Sequence, residues 1–599
     1  MKRRNFLKNN AGLAVSLHPL SRLATREILG LGKPSLFVTS GPRQPLFLYD
    51  NWSAYDELSD RIPLTEELAI KELNELIRMK KSGVRFDYYV MDAFWFDKMG
   101  GYRTWNKELW PNGPDLWIRT CQEHKILPGM WFSTNLIATH SGRFLEVIPE
   151  WQDSLATDPN IMCLFTGGYL RHLGQTLQLW YDRGVRAFKF DFAYFEAATE
   201  AAQQVHTPEE IEEMNKLALM DMLKQFRNHN PDVLITGYNG FGGDMENTFT
   251  PFRKTVDPRW MEVFDTLYCG DPRFSDVPMM NIWRSQDNYS DHMARQFEFN
   301  GLPMKRIDNC AFMSGETGTC YYRAKSAWKG MLILELARGG WVNVYHGNME
   351  LFTDPDAVWF ARVQDLFHGL QQYGLWSDFG PIPGLGKPYG FRAQDADGLV
   401  ITLVNPSQAM ESVPLPAPEG SRGLVIYADG GFSPILEGTE IRLGPEQLVV
   451  VGFGKYSDPT YQFGVDDTIR IPTGISSLNA DFTTTGPNQV HAQVQVRKGT
   501  HTRILLQQFG PDGNPRRSWG GAPPDGKKMD AFLKITCLQD GRPVTTNIEY
   551  DKMIWSGLSW AAASVAPGDL DPAKSLEITC RSFETDPLTL KASVYEVIF

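Results

Sequence analysis

The stretch VRAFKFDFAYFE, residues 185 to 196, carries a lysine and an aspartate inside an otherwise apolar run. Ala187, Phe188, Phe190 and Phe192 have the character of a buried strand. Alternate strand residues face the same side, so Lys189 and Asp191 share one face. Such a pair is either a structural ion pair or a site. As a site, the lysine's charge would favour the ionised form of the aspartate beside it. Further carboxylates lie where strands end. Asp92 closes FDYYVMD, although taken alone it also suits a helix N-cap. Asp287 lies in NIWRSQDNYSD, after a sixth strand, and Asp271 in YCGDPRFSD is its rival because it ends that strand directly. Two carboxyl groups on opposite sides of a glycosidic bond can break it, one attacking or assisting and the other protonating the leaving oxygen. That chemistry needs no metal or other cofactor. A metal-dependent hydrolase ranks last, because the 11 histidines include no HxH pair or cluster at ligand spacing.

These residues need a scaffold that gathers strand ends. The first half of the chain alternates strand and helix signals. LFLYD (46–50) reads as a strand, and LTEELAIKELNELIRMKKSG (64–83) as a helix with an apolar stripe of Leu64, Leu68, Leu73, Leu76 and Ile77. Thr65 can cap its start, and Lys80 and Lys81 suit its end before Gly83. SGVRFDYYVMD and RGVRAFKFDF repeat Gly-Val-Arg, an apolar strand and an Asp, so Gly83 and Gly184 both read as helix ends feeding strands. VLITGYN (233–239), DTLYCGD (265–271) and WVNVYHG (341–347) continue the series. Roughly eight strands over about 330 residues suit an α/β chain folded as a (β/α)8 barrel, whose chemistry gathers at the C-terminal strand ends. A doubly wound sheet is the alternative, but no GxGxxG follows the first strand.

After about residue 376, Gly and Pro punctuate short alternating runs, which predicts an antiparallel β-sandwich. The expected divisions are a leader at 1–30, a barrel at 40–375, a sandwich at 376–455 and a further β-rich domain at 456–599. Trp519, in RRSWGGAPPDG, is either a sugar platform of that last domain or an ordinary loop anchor, packing being the default. Asp308 in RIDN reads as turn chemistry, and His346 as a satisfied polar residue.

The motifs resemble those of clan D glycoside hydrolases, families 27 and 36, the α-galactosidase and α-N-acetylgalactosaminidase group. FKFDF looks like the nucleophile strand of that group, with Lys189, Phe190 and Asp191 in place. IWRSQDNYSD resembles its acid/base segment through Trp283, Arg284, Asp287 and Asp291, with a gap from Arg284 to Asp287 one residue shorter than in family 27. MDAFWF resembles its Asp-Asp-x-Trp motif through Asp92 and Trp95, and LYDNW its first strand through Tyr49 and Trp52. The resemblance covers about residues 40–455 and leaves out the last domain. It implies a barrel followed by a sandwich, and a retaining double displacement on α-galactoside-like linkages. Asp191 is then the nucleophile and Asp287 the acid and base, with Asp271 as alternative; Lys189 and Arg284 bind sugar hydroxyls, and Asp92 and Tyr49 belong to the substrate site. From their places at strand ends, Trp52 and Trp95 are either core residues or platforms for a sugar ring, and Tyr238 and Asn239, ending the fifth strand, line the pocket. The chain departs from the pattern at Ala93, where the group has a second aspartate, and at Tyr49, where it has tryptophan. Both changes leave the sugar open. The competing reading is a carbohydrate-binding protein on a degenerate barrel.

Bulk properties agree with a carbohydrate partner. The net charge is −12 and no basic stripe follows the N-terminus, which argues against nucleic acid. Aromatics make up 12%, compatible with sugar stacking. No run of 18 apolar residues suggests a membrane span. The start MKRRNFLK, followed by AGLAVSL, reads as a twin-arginine export signal and predicts a periplasmic or extracellular protein. Seven cysteines without a CxxC argue against a disulfide framework.

Overall fold

Ten strand segments form one sheet, and every pairing in it is parallel. The computed structural model describes residues 44–52, 64–93, 95–137, 144–242, 256–270, 275–308, 312–315, 323–324, 328–384, 386–518, 531–548 and 559–599. The leader, Asp271, Trp519, Cys310 and Cys320 fall outside these residues. The strands are β1 (Leu46–Asp50), β2 (Tyr88–Met91), β3 (Leu127–Ser133), β4 (Ala187–Asp191), β5 (Leu234–Gly237), β6 (Thr266–Tyr268), β7 (Ile307–Asp308), β8 (Phe312–Gly315) and β9 (Val342–Gly347). The pair Arg323–Ala324 extends β8 at its edge.

The pairing order runs from β8 through β9 and β1 to β7, and only residues 309–311 separate β7 from β8 in the chain. The Trp341 amide donates to the Lys305 carbonyl at 2.8 Å, joining the approach to β9 to the approach to β7. The sheet therefore curls into a barrel rather than lying open, and the doubly wound alternative falls. Helices return the chain between strands, as parallel pairing requires. They include α1 (Glu66–Lys81), α2 (Asp115–Glu123), α3 (Tyr169–Asp182), α4 (Pro208–His229), α5 (Ile282–Phe299), α6 (Trp328–Ala337) and α7 (Asp354–Tyr373).

Strand alternation sorts the side chains. Leu48, Tyr88, Val90, Ala187, Leu234, Val342 and Val344 form the barrel's own interior cluster. Phe47, Tyr49, Phe188 and Phe190 turn outward into the larger core under the helices. The Gly-Val-Arg repeat is a repeated turn. Gly83 and Gly184 adopt φ of +99° and +105°, a conformation that favours glycine. Each bonds back to its helix, Gly83 N to Lys80 O at 3.0 Å and Gly184 N to Tyr181 O at 2.9 Å. Thr65 caps α1 as expected, accepting from the Leu68 amide at 3.1 Å.

One carboxylate on the inner face of α1 gives a pH prediction. Glu72 is buried and accepts the Tyr89 hydroxyl. Burial pushes it up to about 8, with hydrogen bonds from Tyr89 and Asn51 pulling only partly back. A folded pKa above the unfolded one means stability present below about pH 4.5 and lost as pH rises through about 8. Glu72→Gln is therefore expected to recover on the order of 4 kcal/mol of the stability that wild type loses between about pH 5 and 9. Urea midpoints at both pH values check this; parallel losses in the two proteins would refute it.

After α7, a six-stranded sheet begins at Leu375–Phe379 and continues through Tyr389–Gln394, Gly398–Val404, Leu448–Gly454 and Gly423–Asp429. Its last strand, Gly464–Asp466, pairs parallel with Gly423–Asp429, so the sandwich runs past the boundary expected at 455. The last domain is two five-stranded antiparallel sheets packed around Val494, Ile504, Leu506, Trp560 and Ile578. The cysteines at 121, 163, 269, 537 and 580 are buried free thiols. Among the described residues, no helix is long and apolar enough to cross a membrane.

Candidate active site

The inward-facing residues at the C-terminal strand ends make the site. On β4, Lys189 and Asp191 point to the barrel axis because Ala187 does, two and four residues earlier. Lys189 reaches across the mouth, and its Nζ donates to Asp50 Oδ2 at 2.6 Å and to Asp92 Oδ2 at 2.7 Å. The face of Tyr238, just after β5, lies 4.1 Å from the same ammonium. Tyr238 stacks on Tyr268 at 4.9 Å, and its hydroxyl donates to Asp308 at the end of β7.

Asp191 is held by four hydrogen bonds. Its Oδ1 accepts from the Phe192 amide at 2.8 Å, the Asn239 amide at 3.1 Å and Asn239 Nδ2 at 2.9 Å. Its Oδ2 accepts only Trp131 Nε1, at 3.1 Å, among these bonds. Phe192, the residue after the aspartate, has φ of +50°, a left-handed conformation uncommon outside glycine. Burial raises Asp191 above the ordinary carboxylate range, against the pull of Lys189 and Trp131. The lysine's charge therefore offsets burial in part and does not by itself hold the aspartate ionised. Asp92 is pushed up to about 6 by burial and by the Asp50 charge.

No protein-family model matches the chain, and no curated protein matches it. Solved structures do. The galactosidase domain of an α-galactosidase–sucrose kinase superposes with a TM-score of 0.50 over 71% of this chain and 56% of that one, at 13% identity. A family 36 α-galactosidase variant from Geobacillus stearothermophilus, solved with stachyose, superposes with a TM-score of 0.50 over 70% of this chain and 57% of that one, at 13% identity. The chain shares the fold of family 36 α-galactosidases. It spans a little over half the length of these two proteins.

Within this α-galactosidase fold, several site residues expected from sequence take other places. Tyr49 faces the helix layer, since Leu48 and Asp50 are the inward residues of β1; it is fully buried and its hydroxyl donates to Gly347 O at 3.0 Å. Trp95 is also fully buried, packed 4.5 Å from Trp105 with its Nε1 on Trp131 O at 2.9 Å. Both are core residues. Trp52 stays near the mouth, edge-on to His346 at 6.0 Å. Its amide is held by Asp50 Oδ1 at 3.0 Å.

Arg284 and Asp287 are the largest departure. They lie one helical turn apart on α5, so they share a face. That face meets the sandwich. Arg284 donates to Asp287 Oδ2 at 2.6 Å, to Glu446 O at 3.1 Å and to Asp429. Each of its three nitrogens is engaged by a protein group and the side chain is fully buried, which places it in the seam with the sandwich rather than at a sugar. Asp287 shares none of the hydrogen bonds that hold Asp191. The sequence places the motif after a sixth strand, and in the structure it lies within a helix that starts at Ile282.

Two contributors, Asp50 and Trp131, were not singled out from sequence, and a third, Asp308, was given another role. Asp50 ends β1 as Asp92 and Asp191 follow or end their strands, and that shared position is the signal for it. It also supplies a second carboxylate beside Asp92 where Ala93 does not. Trp131 carries no local signal. Asp308, read as turn chemistry, is an inward strand-end carboxylate joined to Tyr238. Among the described residues, no group of His, Cys, Asp and Glu could hold a metal ion.

Proposed function

We propose that this protein is a retaining glycoside hydrolase acting on α-galactoside-like linkages. The carrying observation is the Asp191 carboxylate, anchored through Oδ1 by three donors while Oδ2 has one, at a strand end of the fold shared with α-galactosidases. Oδ2 attacks the anomeric carbon as the bond to the leaving oxygen breaks, forming a glycosyl ester. A second carboxyl group gives its proton to the leaving oxygen. As a carboxylate, it then takes a proton from the water that hydrolyses the ester.

The sequence offers Asp271 and Asp287 for that second role. The engagement of Asp287 with Arg284 weighs against it, and we assign the role to Asp271. Lys189, fixed between Asp50 and Asp92, brings its positive charge to the mouth where sugar hydroxyls would lie. Work outside the cytoplasm is part of the same proposal, resting on the MKRRNFLK leader; export of a reporter fused to residues 1–30 measures it.

Hydrolysis of an aryl α-galactoside followed by NMR tests the mechanism. The first product is expected to be α-galactose, mutarotating later. A β-galactose first product would replace double displacement with inversion. If no member of a panel of aryl glycosides is cleaved while galactosides still bind by calorimetry, the binding-only reading stands instead.

A further inference from the structure

The segment Ser275–Ile282, between β6 and α5, is gripped from two domains. From the sandwich, Glu446 accepts the Met280 amide at 2.6 Å, the Asn281 amide at 2.8 Å and Asn281 Nδ2 at 3.0 Å. This carboxylate serves the amides at the start of α5, where a helix presents unpaired donors and positive potential. Glu446 does so from a left-handed backbone, φ +53°, in the turn that links Glu440–Leu443 of one sheet to Leu448–Gly454 of another. From the last domain, Ser559 Oγ donates to Asp276 Oδ1 at 2.7 Å and Arg517 reaches Asp276 Oδ2 at 3.4 Å. Trp560 Nε1 donates to Ser275 O at 2.8 Å. Asp276, Arg517, Ser559 and Trp560 are all at least nine-tenths buried. One apolar cluster also joins Met280, Ile282, Tyr238 and Tyr268 to the core of the last domain.

A separable sugar-binding module would have a polar surface towards its neighbour and few shared contacts. This domain instead sends buried charged and aromatic groups into a loop at the barrel's working face. We propose that the last domain is a built-in part of the barrel site, with Asp276, Arg517 and Ser559 as positioning residues that fix the segment after β6. The catalytic half of this inference rests on the glycosidase reading, whereas the clamp itself does not.

The test uses the full chain with Arg517→Ala, Arg517→Lys and Ser559→Ala. Loss of a buried charge-assisted bond is expected to speed amide hydrogen exchange across 275–282 by about tenfold or more. Displacement of the loop is expected to lower kcat on an aryl α-galactoside by roughly tenfold to 10²-fold with KM little changed. Arg517→Lys should recover part of both effects. Unchanged exchange in 275–282 would overturn the clamp. Faster exchange with unchanged kcat would overturn the positioning role. Should Arg517→Ala unfold the last domain, Ser559→Ala, which removes one hydroxyl, decides by the same two readouts. If wild type cleaves no glycoside, the glycosidase reading has failed, and exchange still decides the clamp.

Discussion

Asp191→Ala is expected to lower kcat by roughly 10⁴- to 10⁶-fold, the scale seen when a nucleophile or the base serving it is removed. The geometry gives the reason for so large a loss. Four donors converge on this carboxylate, from Trp131, Phe192 and both nitrogens of Asn239. None of them is itself a nucleophile. Removing the carboxylate leaves a small cavity lined by those donors, which is a site for a small anion. Formate or azide is therefore expected to restore measurable turnover, azide by forming a glycosyl azide of inverted configuration. The variant should keep its fold, since burial already disfavours the charged form of Asp191. Rates within tenfold of wild type would remove Asp191 from the reaction. An inactive variant that no anion rescues, with sugar binding intact, would leave the aspartate as a binding group.

The barrel was legible because its signals are periodic and repeated. Gly83 and Gly184 mark the same helix-to-strand turn twice, and the structure reproduces that turn with the same hydrogen bonds. The Lys-x-Asp pattern of β4 was legible for the same reason, since strand parity puts both side chains on one face whatever surrounds them. Parity also marks Tyr49 as an outward residue once Asp50 is recognised as inward, and here the motif resemblance pointed the other way. The Arg284–Asp287 pair shows where local reading ends. Its spacing of three suits either a loop or one face of a helix. Only the position of Asp429 and Glu446, more than a hundred residues later, decides which. Trp131 is likewise set by strand order rather than by any pattern of its own, whereas Asn239 was marked by its place at the end of the fifth strand. The role of the last domain was out of reach for the same reason. Asp276 and Arg517 carry no signal that they meet.

Lys189→Met is expected to destabilise the protein by about 3–5 kcal/mol, because it leaves two buried carboxylates facing each other without their cation. Asp50 is fully buried and Asp92 is 3% exposed, so bulk water screens their repulsion poorly. The loss should shrink as pH falls towards about 6, because Asp92 without its ammonium takes up a proton at a pH above the value it has beside Lys189, and the repulsion then ends. Asn at both acidic positions should largely restore stability to the lysine variant, since an amide keeps the shape and an acceptor for the Trp52 amide that Asp50 now holds. Denaturant midpoints at about pH 5 and pH 8 read these effects. The triple variant also separates the two meanings of a buried lysine. If Lys189 exists to hold sugar, stability returns while activity does not, because no ammonium meets the substrate. If the triple variant recovers both, Lys189 is a structural ion pair and the site lies elsewhere in the mouth. A lysine variant as stable as wild type would contradict the placement of the ammonium between the two carboxylates.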